Sequence, residues 1–156
     1  MLNTDSLFSI ANVFILLNWL PLLLAPQSKL TQKLIQFPFI PLVLSVFYLF
    51  FLIGDGGLGE ADFTSLDGIL TLYHNATPEA AAAGWMHYLA FDYWVGCWML
   101  RDAQGKALPH GLILLPLLCT FMLGPVGILT YVVFSQSYLK LKKCEKLFGY
   151  IYHLLE

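Results

Sequence analysis

Residues 80–100 read AAAAGWMHYLAFDYWVGCWML, an apolar and aromatic run that a single acidic residue, Asp92, interrupts. An α-helix rises about 1.5 Å per residue, so it needs roughly 20 apolar residues to cross the ~30 Å hydrocarbon core of a bilayer. The run has that length. It therefore predicts a membrane-spanning helix that carries a carboxyl group near its middle.

Three further runs have the length and composition of a membrane span. They cover about residues 7–26, 36–54 and 112–134, and none contains a charged residue. The chain is 58 % hydrophobic and 12 % charged, whereas soluble domains have about 45–50 % apolar and about 25 % charged residues. The sequence predicts an all-α polytopic membrane protein, one domain over residues 1–156. We expect a bundle of four transmembrane helices with both termini on the same side.

The connecting segments predict contacts with the membrane surface. Apolar residues recur at helical spacing over residues 63–74, which predicts a short amphipathic helix at the interface. Residues 140–156 form a basic amphipathic tail. The positive-inside rule does not decide the orientation, because a four-span arrangement places four basic residues in the short loops and four in the tail on the opposite side.

Several function classes are excluded by what the chain lacks. The net charge of −2 and the absence of a nucleic-acid motif exclude nucleic-acid binding. Its four histidines show no His-x-x-His spacing, which excludes membrane di-iron oxygenases. Nucleotide-binding glycine motifs, nucleophile elbows and Cys-x-x-Cys pairs are also absent from the sequence. Acid–base chemistry on a lipid-soluble substrate remains, as does pigment or lipid binding without chemistry.

Polar residues within the apolar runs are the candidate functional groups. A charged side chain at the bilayer centre costs about 2.5–3.5 kcal/mol on insertion scales, so Asp92 predicts a functional site. The alternative is an interhelical hydrogen bond that only fixes packing. His87 precedes Asp92 by five residues, about 140° around a regular helix, so only a π-bulge would align the two side chains. Asn18 and His110 are further candidates. The alternative for Asn18 is helix–helix hydrogen bonding, and the alternative for His110 is a structural or solvated loop histidine.

Two features predict a surface for a long, flat, apolar ligand. The first is a stripe of residues at i, i+4, i+7 and i+11 of one continuous helix, which would also admit another helix: Thr120, Gly124, Gly127 and Tyr131. Pro125 predicts a kink in that helix. The second is a set of aromatic residues in one helix, equally suited to plain packing: Trp85, Tyr88, Phe91, Tyr93, Trp94 and Trp98.

Three motifs together resemble the plant ABA-deficient-four family and its bacterial relatives. They are GWMHYLAFDYWVGCW at residues 84–98, RDAQGKALPHG at 101–111 and TFMLGPVGILTY at 120–131. The resemblance covers most of the chain and is strongest from residue 83 to residue 131. It implies a carotenoid substrate, because the plant members are required for neoxanthin formation and are taken as neoxanthin synthase. The implied location is a bacterial inner membrane, a thylakoid membrane or a plastid membrane.

The resemblance also implies a reaction and its residues. Violaxanthin is isomerised by opening an epoxide and forming an allene, without redox change, so no cofactor and no metal is expected. Asp92 is the implied acid, kept protonated by its apolar surroundings, and His87 or His110 the base. The implied substrate contacts are Asn18, Trp85, Tyr88, Phe91, Trp94, Trp98, Thr120, Gly124, Gly127 and Tyr131.

A different function remains open on the same residues. The alternative is a non-catalytic carotenoid- or lipid-binding membrane subunit, or an assembly factor. The expected partners are the bilayer and a carotenoid or similar apolar ligand, with no nucleic acid. The sequence leaves open whether the chain forms a homo-oligomer.

Overall fold

The structure is a computed structural model that describes residues 3–57 and 61–155, with side chains up to Leu147. Within these residues it contains helices and no strand, so the predicted all-α class is confirmed. The seven helices are α1 (Thr4–Leu24), α2 (Lys29–Gln36), α3 (Phe39–Gly54), α4 (Leu66–His74), α5 (Pro78–Gly105), α6 (His110–Leu123) and α7 (Pro125–Leu155).

Helix α5 is the centre of the bundle and contacts α1, α2, α3, α6 and α7. It begins at Pro78, whose fixed φ suits a first helical position. Thr77 is the N-cap residue, and its side chain accepts a hydrogen bond from the backbone N–H of Ala80. The core lies between α5 and its neighbours and includes Trp19, Leu44 and Leu117. The two apolar faces of α1 and α5 therefore meet inside the molecule.

Helix α1 runs parallel to α5. The hydroxyl of Thr4 donates to Glu79 at 2.6 Å at one end. In the middle the indole ring of Trp19 lies over Gly96, where an added Cβ would be 2.6 Å from the ring. The absence of a side chain at Gly96 thus sets how closely α1 and α5 approach.

Most of the predicted span 36–54 is helix α3, and a second helix, α2, precedes it at an angle. Helix α2 ends at Gln36 because Pro38 has no backbone N–H to donate, and α2 meets α3 at 55°. The carbonyl groups at the end of α2 lack donors from their own helix, and α5 supplies one. The guanidinium of Arg101 donates to the carbonyl oxygen of Ile35 at 3.3 Å. Helix α3 then runs antiparallel to α5, with the ring of Tyr48 6.0 Å from that of His87.

The prediction of one continuous helix over residues 112–134 is wrong, because the chain reverses at Gly124. In a continuous helix Thr120 and Gly127 would be about 10 Å apart along the axis. Instead, a Cβ added to Gly127 would lie 1.8 Å from the Thr120 hydroxyl oxygen, so α6 and α7 pack side by side. Gly124 turns the chain with a φ of +49°, which glycine adopts readily. Pro125 begins α7, where a missing N–H is not needed.

The reversal changes the predicted arrangement of the termini. Helix α7 returns along α5, because the hydroxyl of Tyr131 donates to Asp102 near the C-terminal end of α5. The tail from residue 140 therefore continues beyond that end, whereas Thr4 lies at the opposite end beside Glu79. The expectation that four spans place both termini on the same side is therefore wrong for the described residues, because Thr4 and the end of α7 lie at opposite ends of the bundle.

Length and composition identify fewer spanning helices than predicted from the sequence. Among the described residues α1 alone passes such a test, or two spans if the bent pair α2–α3 is taken as one, while α6 is a shorter apolar helix. Four spanning helices are therefore not confirmed.

The segment predicted as an amphipathic helix over residues 63–74 contains α4, which has no buried residue. Its N-cap is Ser65, whose hydroxyl also donates to Asp62 at 2.5 Å. This bond and those from Thr64 lower the pKa of the Asp62 carboxyl to about 2. The predicted tail 140–156 continues the helix α7 as far as Leu155, and residue 156 lies outside the described residues.

Candidate functional site

Asp92 lies at the tip of the hairpin formed by α6 and α7. A Cβ added to Gly124 would lie 2.7 Å from the Asp92 Oδ1, so only glycine lets the turn approach the carboxyl group this closely. The side chain is half-buried, and among the described residues it forms no hydrogen bond. The packing hydrogen bond considered as the alternative for Asp92 is therefore not formed within the described part of the chain.

His87 lies on a different face of α5. Its ring centre is 4.7 Å from that of Phe91 and 6.0 Å from that of Tyr48 on α3. Helix α5 is a regular α-helix throughout, without the π-bulge that would have aligned His87 with Asp92. The structure does not bring these two predicted catalytic residues together.

His110 is the first residue of α6 and lies far from the hairpin tip. Its Nε2 is 2.8 Å from the carbonyl oxygen of Leu23, so Nε2 carries a proton and donates it to that carbonyl, one of those left free at the end of α1. Its Nδ1 is buried and has no hydrogen-bond partner among the residues that the structure describes. The 14 residues of α6 separate His110 from Gly124 by about 21 Å. His110 therefore joins α6 to α1 and does not form a pair with Asp92.

The predicted stripe of small residues does not form an open groove. Thr120 and Gly127 face each other across the hairpin, and Gly124 and Gly127 are buried. The Thr120 hydroxyl donates to the carbonyl of Pro116 at 2.9 Å. Of the two predicted alternatives, a ligand or another helix, Gly127 admits the neighbouring helix, and Gly124 admits the Asp92 carboxyl group.

An exposed aromatic face lies along α5 beside Asp92. We define it by Tyr88, Phe91 and Trp94, of which the first two are 57 % and 56 % exposed. The hairpin reaches only to Asp92, so it does not cover Tyr88 and Phe91. Below the tip, Trp98 contacts the ring of Tyr131 at 5.5 Å. The aromatic face is thus open where the hairpin ends.

Two other predicted ligand contacts lie toward α1. The indole N–H of Trp85 donates to Asn12 at 2.9 Å, which joins α5 to α1. The amide of Asn18 donates to the carbonyl of Phe14 in its own helix at 2.8 Å. Neither side chain belongs to the aromatic face.

A cluster that the sequence did not predict holds α7 against α5. Lys106 lies 2.5 Å from Asp102 Oδ2, and the Tyr131 hydroxyl donates to the same oxygen. Burial raises the pKa of the Asp102 carboxyl, but the bonds from Lys106 and Tyr131 outweigh it and leave the pKa below its ordinary 3.8. The sequence shows only that Asp102 and Lys106 are at i and i+4, the spacing at which two side chains meet on one face of a helix. Tyr131 joins them because the chain reverses at Gly124.

Replacing Tyr131 by Phe should lower the free energy of unfolding by about 1.5 kcal/mol at neutral pH, because a hydrogen bond to a charged group is lost. The pKa of Asp102 is lowered in the folded state, so its contribution is present above pH 3.8 and is lost as the pH falls through the folded value. Denaturant unfolding in detergent measures the difference, once at neutral pH and once at a pH low enough to protonate Asp102. Tyr138→Phe is the control, and a loss that is independent of pH would contradict this assignment.

A protein-family model described as ABA DEFICIENT 4-like matches residues 6–131. The chain belongs to the ABA DEFICIENT 4-like family. The resemblance of the three sequence motifs is thereby confirmed. No curated protein and no solved structure matches the chain.

The ABA DEFICIENT 4-like region contains the whole candidate site. It includes Asp92, the aromatic face and the α6–α7 hairpin as far as Tyr131, and it ends before the basic tail. The region also buries Tyr93, whose ring packs edge-on against Trp19 at 5.6 Å. Within the described part of the chain its hydroxyl has no hydrogen-bond partner. The packing of Trp19 against Gly96 was not predicted, although a glycine at position 96 among large aromatic residues is a signal of a bulky neighbour.

Proposed function

We propose that this ABA DEFICIENT 4-like protein is a membrane-embedded xanthophyll isomerase that opens an epoxide to an allene. The observation that carries the proposal is Asp92, a half-buried carboxyl group at the hairpin tip without a hydrogen bond among the described residues. A carboxyl group within a membrane span that only stabilised packing would pair with another polar group. An unpaired carboxyl group beside an exposed aromatic face is instead available to a substrate.

Insertion into a membrane is supported by the outer surface of the bundle. Large apolar side chains are exposed along the outer faces of α1, α3 and α7, among them Leu17, Val46 and Leu129. A protein in water rarely exposes apolar surface on this scale, whereas lipid does not penalise it. The proposed arrangement has three crossings, by α1, by the bent pair α2–α3 and by α5, with the α6–α7 hairpin entering part of the way.

The aromatic face is the proposed binding surface for the polyene. Tyr88 and Phe91 remain uncovered beyond the hairpin tip, and their planar rings suit a flat conjugated chain. A carotenoid lying along them would bring its end ring to Asp92. His87 contributes its ring to the same surface through contact with Phe91.

Asp92 can perform both proton transfers of the isomerisation. Protonated Asp92 gives its proton to the epoxide oxygen as the bond from that oxygen to the ring carbon next to the polyene breaks. The oxygen becomes a hydroxyl group on the other ring carbon, and a cation forms next to the polyene. The resulting carboxylate takes the proton from the adjacent vinylic carbon, and that electron pair completes the allene. Asp92 returns to its starting state, so the reaction needs neither a histidine base nor a redox cofactor.

The direct test is incubation of the purified protein with violaxanthin in liposomes, followed by chromatographic separation of the pigments. We expect an allenic product to form without any added cofactor. Bound violaxanthin without conversion would contradict the isomerase and favour the non-catalytic carotenoid-binding alternative. Absence of both binding and conversion would contradict a carotenoid function altogether.

Replacing Tyr88 by Ala should weaken binding of the carotenoid about tenfold, because loss of one aromatic contact costs about 1.4 kcal/mol. Titration of bound pigment by absorption spectroscopy measures the change. Phe50 on α3 is also 57 % exposed and lies outside the aromatic face, so Phe50→Ala is the matched control. Equal losses in the two variants would contradict the location of the binding surface.

A further inference from the structure

All eight Lys and Arg residues of the chain lie at one end of the bundle. Lys29 and Lys33 are on α2, which contacts the C-terminal half of α5 through the bond from Arg101 to Ile35. Lys106 is the C-cap residue of α5 and pairs with Asp102. These four residues therefore surround the C-terminal end of α5.

The remaining four basic residues reach the same end through the hairpin. Tyr131 on α7 is bonded to Asp102, and α7 continues from there as a helix in the direction of the C-terminal end of α5. Nine residues further, about 13 Å along the helix, the basic part of the tail begins at Lys140. It contains Lys140, Lys142, Lys143 and Lys146, all exposed.

The opposite end of the bundle is acidic. Glu79 accepts from Thr4 there, and Asp55 accepts from the Thr77 hydroxyl. Asp62 and Asp67 lie in the segment between α3 and α5 that begins and ends at this end. None of the eight basic residues lies here, so the two ends of the described bundle differ sharply in charge.

We propose that the basic end is the cytoplasmic surface of the protein and contacts the anionic phospholipid headgroups of that leaflet. The proposal rests on the membrane insertion that forms part of the proposed function. Loops rich in Lys and Arg remain on the cytoplasmic side of membranes, and anionic lipids attract such clusters. Asn3 and α4 then lie on the far side. The α6–α7 hairpin enters from the cytoplasm, turns at Gly124 and returns to it.

The hairpin removes the tie in the count of basic residues. A chain with four spans would place the loop between α1 and α2 opposite to the tail, four basic residues against four. The reversal at Gly124 moves the tail to the other side of the membrane, so the count becomes eight against none. The two arrangements differ in one observable, namely whether residues 27 and 144 share a side.

Native Cys144 is exposed within the basic tail and reports the position of the tail without any substitution. The test expresses the full chain in a bacterium and applies a membrane-impermeant maleimide before and after permeabilisation. Gln27→Cys and Thr71→Cys, both at exposed positions, are made in a Cys144→Ser background, which alone measures labelling of Cys97 and Cys119. We expect Thr71→Cys to be labelled in intact cells at least tenfold more than Cys144 and Gln27→Cys, which should react only after permeabilisation.

Each contrary outcome overturns a different statement. Labelling of Cys144 but not Gln27→Cys in intact cells, or the reverse, would overturn the hairpin. Labelling of both with protection of Thr71→Cys would overturn the orientation. Release of the protein from the membrane by alkaline carbonate, measured before labelling, would overturn membrane insertion and with it the proposed function. Replacing the four tail lysines by Gln should reduce labelling of Thr71→Cys in intact cells, and unchanged labelling would contradict the role assigned to the tail.

Discussion

Replacing Asp92 by Asn should abolish the conversion of violaxanthin while the protein remains folded and binds the pigment. The amide has nearly the same size as the carboxyl group but cannot give up an acidic proton or accept one from carbon. Loss of a general acid–base group typically costs about 10²–10⁴-fold in rate. The measured quantity is the initial rate of allenic product formation in liposomes, compared with the amount of pigment bound.

Stability separates a catalytic role of Asp92 from a packing role. The carboxyl group forms no hydrogen bond among the described residues, so Asp92→Asn should leave the unfolding temperature unchanged or raise it. Asp67→Asn, at an exposed position of α4, is the matched carboxylate control and should keep full activity. A variant at position 92 that loses stability in proportion to its activity would favour the packing role.

Replacing Gly127 by Ala should have the largest effect on stability of the glycine-to-alanine changes within the described part of the chain. The new Cβ would lie 1.8 Å from the Thr120 hydroxyl oxygen and 2.5 Å from the Thr120 backbone nitrogen. Because a helix backbone cannot move aside like the end of a side chain, the hairpin must open. We expect a loss of about 3 kcal/mol or more in the free energy of unfolding.

Gly111→Ala is the matched control within the same hairpin. No atom lies within 4 Å of a Cβ added at Gly111, so alanine there should be neutral or stabilise the helix by about 0.5–1 kcal/mol. Thr120→Ala should not rescue Gly127→Ala, since the clash with the Thr120 backbone remains. If Gly127→Ala unfolded like the parent protein, the close packing of α6 against α7 at Gly127 would be contradicted.

The sequence was sufficient to predict α1, α4 and α5 but not the reversal between α6 and α7. Residues 112–134 are uniformly apolar, and such a run fits one span as well as two packed helices. Gly124 and Pro125 carried the decisive signal, because a glycine commonly ends a helix and a proline commonly begins one. Pro125 taken alone predicts only a kink.

The candidate site was predictable only in part for a similar reason. Asp92 was found because an isolated charge in an apolar run has a high cost. Its surroundings depend on which helices are neighbours, and spacing along the chain does not contain that information. Thus His110 was grouped with Asp92 although α6 carries it to the other end of the hairpin, and Tyr131 was grouped with the glycines although its hydroxyl binds Asp102.

Because the tip of the α6–α7 hairpin lies at Asp92, the hairpin determines how a substrate can reach the aromatic face. In the proposed membrane arrangement, a hairpin that stops at Asp92 leaves the aromatic face bordered by acyl chains rather than by the described part of the chain. Under the proposed function no gate then has to open, no aqueous phase has to be crossed, and reactant and product exchange sideways within one leaflet. The turnover rate is then governed by the mole fraction of pigment among the lipids, and adding inert lipid at constant pigment slows the reaction as dilution slows an enzyme in water.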